Sequence, residues 1–411
     1  MKRFFFILAS VALCASATNA QTQTVQTSVK TGSTGYRMYN NQVPRTEIIL
    51  PQIKGLTAYK GDFHVHTIYS DGEVTPRERM REAWYDGLDI IALTDHLEKR
   101  TYEKNMLKAL APYNSDGKPY TYAHAGAGNK DNSDAPLLLD FNAVFDEAQQ
   151  IIEKEHIPIL AVRGTEIWRN PSTVGEYNAL FLKDINAIFH KDLFESLRRV
   201  KAQGGIIIHN HPGWRRKTME KSSEQYKIYE AGLVDGVEVV NSVGFYPQMI
   251  DRCVNEKLAI FANTDVHRPS SQVWHRGSGI FRTMTIIYAK ECTEKAIKEA
   301  ILKHRTIGYC ANNLMGEEKI LKEFMDAALD CKLVDIDEKA GYRVFQITNT
   351  CSIPFILRRL NSVYEIPPFQ SVRVKIGKWP KTGKYCDPQF IVENMWTVGD
   401  KHPNFMLAID K

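Results

Sequence analysis

Side chains that commonly bind metal ions recur in six short segments of the sequence. The segments are Gly61-Asp62-Phe63-His64-Val65-His66-Thr67, Tyr69-Ser70-Asp71-Gly72, Thr94-Asp95-His96, Gly164-Thr165-Glu166, His209-Asn210-His211-Pro212-Gly213 and Asn263-Thr264-Asp265-Val266-His267. On a β-strand, residues two apart point to one face, so His64 and His66 can reach a single cation. Alone, such a pair is a weak signal, because a structural histidine is the commoner explanation.

The places of the other segments strengthen this signal. His96, Glu166, His211 and Asp265 each stand at or just beyond the carboxyl end of an apolar run typical of a buried strand. In α/β barrels, active sites form at the carboxyl ends of the strands. Unrelated core histidines would not be expected to gather there, so the pattern indicates a common site.

The donor types indicate the chemistry of that site. Imidazole and carboxylate without thiolate suit Zn, Mn or Fe in a catalytic centre. A shared carboxylate such as Glu166 can bridge two cations, which together can drive in-line displacement on phosphorus. A structural metal site is usually complete with about four ligands, whereas this sequence offers eight candidates. The candidate ligands are His64, His66, Asp71, His96, Glu166, His211, Asp265 and His267.

Alternating strands and helices are predicted to position these residues. Apolar runs predict strands at 62–66, 89–94, 159–166, 177–182, 206–209, 236–241 and 259–264. Amphipathic patterns predict helices at 75–86, 141–155, 193–203 and 292–303, the first capped by Thr75 with Pro76 following. This alternation over residues 57–311 favours parallel strands with covering helices, as in a barrel or an open α/β sheet.

The pattern of apolar and polar residues changes towards the carboxyl terminus. A helical connector is predicted at 312–334, where apolar residues of 317–328 have helical spacing. Short runs at 342–348, 355–360, 371–376 and 404–409, separated by turns and prolines, predict a small immunoglobulin-like β-sandwich over 335–411.

The amino terminus has the pattern of a secretory signal peptide. Lys2 and Arg3 precede an uncharged apolar run at 4–17, and Ala20 is a small residue suited to cleavage. The run is too short to span a bilayer comfortably. We therefore expect a signal peptide at 1–20, a flexible leader at 21–56, no membrane span, and a periplasmic or secreted protein.

The bulk composition sets wider limits. The 411 residues are 43% hydrophobic and 25% charged, and the net charge of +5 is too mild and dispersed to predict a nucleic-acid surface. The six cysteines after residue 20 are widely spaced without a C-x-x-C pair, so buried thiols are expected rather than a disulfide framework. The composition leaves the oligomeric state open.

Taken in order, the six segments resemble the polymerase and histidinol phosphatase (PHP) superfamily over roughly residues 57–311. Gly-Asp-Phe-His-Val-His-Thr with Ser-Asp-Gly, and Leu-Thr-Asp-His, are similar to its first two motifs, while His-Pro and Asp-Val-His are similar to the later two. The resemblance implies a distorted (β/α)7 barrel with two or three divalent metal ions (Mn, Zn or Fe). It also implies hydrolysis of phosphomonoesters or phosphodiesters, although some relatives are proofreading nucleases.

Carried over motif by motif, the resemblance implies three cation positions. His64, His66, Glu166 and Asp265 would hold the first, Glu166 and His211 the second, and Asp71, His96 and His267 the third. The family often has a further histidine on the strand after the glutamate, where this sequence has Asn178. Because asparagine is a poorer ligand, both a binuclear and a trinuclear centre remain open.

The expected reaction is hydrolysis of a small phosphorylated substrate, preferably a diester, by a metal-activated hydroxide. Asp265 would orient the attacking water, and His211 or His267 would protonate the leaving group. The candidate phosphate-binding cations are Arg215, Arg216 and Arg268.

Several neighbouring residues have weaker predicted roles. Asp95 is expected to orient an imidazole, and His209 to lie within its strand or behind a ligand. His275 is a candidate loop contact, and the long polar insert 102–136, with His124, is a candidate lid.

Two other functions remain as alternatives. A metal-dependent amidohydrolase acting on C–N bonds commonly uses a bridging carbamylated lysine, but no lysine ends a strand in the matching place here. A secreted binding protein on a relic barrel would be expected to have lost its ligands, whereas Asn178 is the one visible departure.

Overall fold

The computed structural model describes residues 45–99, 140–167, 169–378 and 381–407. Its main feature is a strongly curled sheet in which strands such as Ile90–Leu93 are buried at every position, as expected for strands covered on both faces. The first eight strands are β1 (Thr57–Asp62), β2 (Ile90–Leu93), β3 (Leu160–Ile167), β4 (Tyr177–Leu180), β5 (Ile206–His209), β6 (Gly236–Asn241), the short β7 (Gly244–Phe245) and β8 (Ala259–Asn263).

Strand direction explains the distortion of the barrel. β1, β2 and β3 pair in parallel, and so do β5, β6 and β8. β4 lies between β3 and β5 and is antiparallel to both. The curled sheet closes on itself just beyond the ends of β1 and β8, where Val65 forms a parallel bridge with Val266. The predicted distorted PHP-type barrel is confirmed, although β4 was not expected to run in the opposite direction.

Three antiparallel strands extend the sheet beyond β1. They are β9 (Met284–Ala289), β10 (Thr306–Cys310) and β11 (Asn313–Met315). The C-terminal part of the chain adds β18 (Met395–Trp396), which pairs in parallel with β11. The segment after residue 311, predicted to be a helical connector, therefore begins with a strand of the barrel sheet.

Seven α-helices of the described residues cover the sheet and lead to the second domain. They are α1 (Pro76–Tyr85), α2 (Asn142–Glu155), α3 (Leu193–Ala202), α4 (Ser223–Glu230), α5 (Gln248–Glu256), α6 (Glu294–Leu302) and α7 (Glu318–Ala328). Short 3-10 turns lie at Asn186–Ile188 and Ser270–Gln272. Thr75 caps α1 by accepting a hydrogen bond from the Glu78 N–H at 3.3 Å, as its sequence predicts.

The C-terminal domain is a β-sandwich, as predicted. One sheet has the order β12 (Leu329–Asp337), β13 (Tyr342–Asn349), β16 (Ser371–Gly377), and the other has the order β15 (Ser362–Ile366), β14 (Phe355–Arg359), β17 (Gln389–Val392), β19 (Asn404–Met406). Buried residues of the two sheets, such as Phe345 and Phe390, belong to one apolar cluster. The domain begins at Leu329, directly after α7, six residues before the predicted boundary at 335.

The final residues of the predicted flexible leader are packed against the protein. Ile48 and Ile53 are buried. The backbone N–H of Ile49 donates to Ser352 Oγ at 2.8 Å, and the Ser352 N–H donates to the Ile49 carbonyl at 2.8 Å. The prediction of flexibility was therefore wrong for 46–56, where two isoleucines provide the apolar anchors.

Further predictions concern the cysteines, membrane-spanning segments, the signal peptide and the lid. The cysteines at 253, 292, 310, 331, 351 and 386 are all free thiols. No helix among the described residues is long and apolar enough to cross a membrane. The predicted signal peptide and the predicted lid at 102–136, including His124, lie outside the described residues.

A buried ion-pair network links the ends of β1 and β8, close in sequence to the histidine segments. Arg282 donates to the carboxylates of Asp62 (2.5 Å) and Asp86 (3.2 Å), and all three side chains are buried. Asp62 also accepts hydrogen bonds from the N–H and the hydroxyl of Thr264. The aspartate of the first motif therefore joins the end of β1 to the end of β8.

We expect Arg282→Met to lower the free energy of unfolding by about 3–5 kcal/mol, because it leaves the buried carboxylate of Asp62 without its cation, whereas Asp86 keeps its pair with Arg276. Urea denaturation followed by circular dichroism measures this loss. The matched control is Lys322→Met, which breaks a pair with Glu318 whose side chains are about half exposed and should cost less than about 1 kcal/mol. Equal losses in the two variants would contradict the role of the network.

Candidate metal centre

His64 and His66 lie in an extended segment just beyond β1, which ends at Asp62. The predicted strand at 62–66 was therefore placed too late, but the alternation of side chains continues past the strand. The His64 carbonyl accepts from the Asp265 N–H at 2.8 Å, and the His66 N–H donates to the Val266 carbonyl at 3.1 Å. Backbone pairing thus brings the first and last motifs together.

The first group of donors is the one predicted around this histidine pair. His66 Nε2 lies 3.0 Å from Asp265 Oδ1 and 3.4 Å from Glu166 Oε2. His64 Nε2 lies 3.3 Å from each of the same two oxygens. Asp265 reaches this place because its backbone turns sharply after β8, with a φ of 53°. Four donor atoms from three strand ends therefore surround one point.

The second group contains the three residues predicted for the third cation. Asp71 Oδ1 lies 3.2 Å from His267 Nε2 and 3.6 Å from His96 Nε2. His66 also borders this group, with its Nδ1 3.8 Å from Asp71 Oδ1. The ring of His66 stacks on the ring of His267 with centroids 4.2 Å apart. His66 therefore stands between the two groups.

The third group includes a residue that the sequence analysis missed. His211 Nε2 lies 3.4 Å from Glu166 Oε1, as the motifs predict, and 3.1 Å from Glu176 Oε2. Glu176 precedes β4, and because β4 is antiparallel, its beginning lies at the same end of the barrel as the carboxyl ends of β3 and β5. A search restricted to the carboxyl ends of strands therefore passed over it.

The inward-facing atoms of these groups lack hydrogen-bond partners. Buried polar atoms are normally paired, yet several donor atoms here have no partner among the described residues. They are His64 Nε2, His66 Nε2, Asp71 Oδ1, His96 Nδ1 and Glu166 Oε2. A set of imidazoles and carboxylates that converge without partners fits divalent cations. All eight predicted ligands lie in these groups, and their metal-binding role stays a prediction.

The buried groups shift one another's pKa values in both directions. Although burial opposes it, the neighbouring carboxylates raise the pKa of His64 well above its usual value and that of His211 to about 9. Burial, with the neighbouring His267 and His96, lowers the pKa of His66 to about 3. Burial would raise the pKa of Glu166, but the charges of His64 and His96 hold it well below its usual range. An anionic carboxylate beside an unprotonated imidazole is the state that metal binding requires.

Glu238 orients the histidines from behind. This fully buried carboxylate lies 2.8 Å from His64 Nδ1 and accepts from the His211 N–H at 2.7 Å. It also accepts from the side-chain amides of Asn241 and Asn263. Because Nδ1 of His64 is engaged with Glu238, Nε2 is the nitrogen left to face the centre.

Asp95 has a different role from the one predicted. Its carboxylate contacts no imidazole and instead accepts from the N–H and hydroxyl groups of Thr67 and Ser70, at 2.7–3.1 Å. Gly72 completes this turn, because a Cβ there would meet backbone atoms of His66 and Thr67 at 2.6–2.7 Å. Asp95 and Gly72 therefore shape the loop that carries Asp71 to the centre.

A cavity of about 290 Å³ opens directly onto the three groups. Of the predicted substrate cations, Arg215 lines it. Arg216 turns away to Gln225 and the Glu220 carbonyl, and the side chain of Arg268 is 70% exposed beside Glu73. Arg216 and Arg268 do not line the cavity, so the structure does not support their predicted role in phosphate binding.

The cavity also has lining residues that were not predicted. Lys99 pairs with Asp71 on one side, and Trp214, 52% exposed, borders the other side next to Arg215. The two other histidines with predicted roles, His209 and His275, do not line this cavity. His209 is buried between Tyr177 and Tyr229, away from the cavity, and His275 lines a different depression.

Arg79 holds the backbone of both histidine segments. This fully buried side chain donates to the carbonyl of His66 at 2.8 Å and to those of Val266, His267 and Arg268 at 2.7–3.0 Å. A guanidinium has five donors in a fixed planar arrangement, which an ammonium does not reproduce. Arg79 therefore acts as a positioning residue that fixes the spacing between the two segments.

We expect Arg79→Lys to weaken metal binding by about 10–100-fold, the usual cost of losing a supporting contact. Metal content and affinity can be measured by elemental analysis and by titration of metal-free protein. The matched control is Arg81→Lys on the same helix, because Arg81 is partly exposed and pairs with Glu78 and Glu155. Unchanged affinity in Arg79→Lys would show that the segments keep their spacing without it.

Comparison with solved structures gives an extensive match. A two-domain protein from Bacteroides vulgatus, described as containing a predicted PHP-like metal-dependent phosphoesterase, is 28% identical with a TM-score of 0.75; the match covers 90% of this chain and 100% of that chain. Two further matches are too distant to guide interpretation. A candidate metal-dependent phosphoesterase from Bifidobacterium adolescentis is 14% identical with a TM-score of 0.38, and the match covers 59% of this chain and 96% of that chain. An amidohydrolase from Chromobacterium violaceum is 13% identical with a TM-score of 0.32, and the match covers 52% of this chain and 90% of that chain.

The family assignment rests on the sequence of the barrel. A search of curated proteins finds no match. The PHP domain model matches residues 62–267, from the aspartate that precedes the first histidine pair to the last histidine of the centre. All eight predicted ligands fall within the matched range. The chain belongs to the PHP domain family.

Proposed function

We propose that this protein is a divalent-metal-dependent phosphoesterase that hydrolyses a small phosphodiester or phosphomonoester. The observation that carries the proposal is the convergence of unpartnered, buried donor atoms from His64, His66, His96, Asp71 and Glu166. Two of these residues, His96 and Glu166, line the cavity. Family membership and the likeness to the Bacteroides vulgatus protein support it.

In this proposal, the eight predicted ligands hold two or three cations. The cations would be Mn, Zn or Fe ions, which activate water and neutralise phosphoryl oxygens. The residues that would hold them are His64, His66, Glu166 and Asp265 in the first position, Asp71, His96 and His267 in another, and Glu166 with His211 in the remaining one.

The protein's own proton-transfer groups stand on two sides of the cavity. Asp265, which reaches both His64 and His66, is placed to orient a water. The side chain of His267 is 34% exposed at the rim, whereas that of His211 is 8% exposed beside Glu176. Both histidines are also predicted ligands, and His267 Nδ1 lies 2.9 Å from the Asp265 carbonyl. Because an imidazole that holds a cation has no proton to give, we favour the more exposed His267 as proton donor only for a binuclear centre in which the third cation position is empty.

The cationic lining favours an anionic substrate of limited size. Lys99 and Arg215 both line the cavity, and each can donate to a phosphoryl oxygen. A volume of about 290 Å³ is at the small end of ligand pockets. The exposed indole of Trp214 leaves room for a second ester substituent, which is why we favour a diester.

The proposed place of action is the periplasm or the outside of the cell. The basic and apolar pattern of residues 1–20 is what supports export. Amino-terminal sequencing of protein recovered from the periplasm or medium tests this, with Gln21 as the expected first residue.

We expect His64→Ala to reduce hydrolysis of bis(4-nitrophenyl) phosphate by at least about a hundredfold, because loss of a ligand should exceed the cost of losing a supporting contact. Release of 4-nitrophenol by Mn- or Zn-loaded protein measures this loss. His275→Ala is the control, since His275 is exposed and lies outside the cavity.

Parallel assays on 4-nitrophenyl phosphate and on 4-nitroacetanilide separate the substrate classes. Faster hydrolysis of the anilide than of either phosphate would favour the C–N hydrolase alternative. Metal-loaded protein that cleaves none of the three would favour a binding protein.

We expect Trp214→Ala to raise KM for an aryl phosphodiester several-fold and to change kcat little, because stacking on an exposed indole is worth about 0.5–1.5 kcal/mol. Trp214→Phe keeps a ring and serves as the matched variant. Steady-state kinetics on bis(4-nitrophenyl) phosphate provide the measurement. An unchanged KM in Trp214→Ala would exclude the indole from the substrate surface.

A further inference from the structure

We propose that Glu176 is a ligand of the second cation position and that its carboxylate gives this position a larger share of oxygen donors than the first position has. This inference rests on the proposed metal centre. It concerns the place where the sequence has Asn178 instead of the histidine that relatives often carry.

Glu176, Glu166 and His211 form a compact and buried group. Their donor atoms all lie within 4.8 Å of one another, and the three residues are 4%, 0% and 7% exposed. Two carboxylates this close in a buried place repel each other unless a cation lies between them or one of them binds a proton. One imidazolium at His211 would leave an uncompensated negative charge.

The Glu176 carboxylate has few other partners. In the described part of the chain, His211 is the one side chain at hydrogen-bonding or ion-pair distance from it. Glu166 differs, because its Oε1 accepts from Asn210 Nδ2 at 2.8 Å and its Oε2 lies 2.9 Å from His96 Nδ1. The protein has therefore placed the Glu176 carboxylate beside Glu166 without supplying it with the hydrogen-bond donors that usually satisfy a buried anion.

Asn178 cannot serve the position that Glu176 occupies, because both ends of its amide are engaged. Its Nδ2 donates to the Phe63 carbonyl at 2.9 Å, and its Oδ1 accepts from Asn210 Nδ2 at 2.8 Å. Asn210 Nδ2 also donates to Glu166 Oε1 at 2.8 Å. Asn178 thus orients Glu166 through Asn210 and offers no free atom to a cation.

The strand geometry explains why Glu176 can replace a ligand at 178. Asn178 pairs directly with Glu166 in the antiparallel ladder, so their side chains share a face of the sheet. Glu176 is two residues earlier and therefore continues on the same face. Since β4 is antiparallel, two residues earlier is also one step closer to the open end, where His211 and the cavity lie.

The donor set implies a difference in metal preference. The first position has two imidazoles and two carboxylates, whereas the second would have two carboxylates and one imidazole. Oxygen donors suit Mn²⁺ and Mg²⁺, while imidazole shifts preference towards Zn²⁺. Zn²⁺ still binds more tightly in absolute terms at both positions, so we expect a lower ratio of Zn²⁺ to Mn²⁺ affinity at the second position.

Titration of the metal-free, full-length mature protein with Mn²⁺, followed by the EPR signal of free Mn²⁺, tests the inference without any activity measurement. We expect Glu176→Gln to bind one equivalent of Mn²⁺ fewer than wild type, or to bind it at least about tenfold more weakly. Glu73→Gln, which removes an exposed carboxylate near the cavity, should bind as wild type does. Glu176→His should regain the equivalent and show a higher ratio of Zn²⁺ to Mn²⁺ affinity in competition.

The outcomes separate this inference from the proposed function. Equal Mn²⁺ equivalents and affinities in wild type and Glu176→Gln would overturn it and leave Glu176 as an ion-pair partner of His211. Wild type that binds no Mn²⁺ or Zn²⁺ would overturn the proposed metal-dependent function as well. Thermal melting of each metal-free variant verifies folding, and if Glu176→Gln does not fold, an unchanged Zn²⁺ to Mn²⁺ ratio in Glu176→His overturns the inference.

Discussion

The metal centre depends on one buried cation of the protein itself, the guanidinium of Arg79. Its hydrogen bonds hold carbonyls on both sides of the seam where β1 and β8 end, and its charge is balanced by Glu82 one turn later on the same helix. Pro76, Met80 and Ala83 are also buried on this face of α1. The packing of one helix therefore sets the distance between the first and last histidine segments.

Around that seam, Glu166 is the residue that all donor groups share. Its two oxygens face different neighbours: Oε2 lies near His64, His66 and His96, and Oε1 lies near His211 and Asn210. A carboxylate placed in this way would couple the proposed cation positions, because a change at one oxygen alters the orientation of the other. Glu166, the candidate ligand with the most neighbours, therefore lies on β3, between the first histidine pair and the antiparallel strand β4.

Much of this arrangement was predictable from local sequence. The run 206–208 is uniformly apolar and the run 236–241 is mostly so, and α1 begins with a strong capping signal at Thr75. The ligands were found because most follow such runs. The direction of β4 was not predictable, since Tyr177-Asn178-Ala179-Leu180 reads the same in either orientation, and this uncertainty concealed Glu176. Arg79, Glu238 and Arg282 were missed for a related reason: an isolated charge in a sequence looks exposed until its distant partners are known.

The pairing of β18 with β11 has a consequence for the architecture of the whole chain. A sheet edge with unpaired N–H and C=O groups is a template for association with other chains, and β18 covers the edge of the barrel sheet at β11. The same sandwich domain binds the segment before β1 through Ser352 and Ile49. The second domain thus covers an edge that, in a barrel synthesised alone, would stay open to association with other chains.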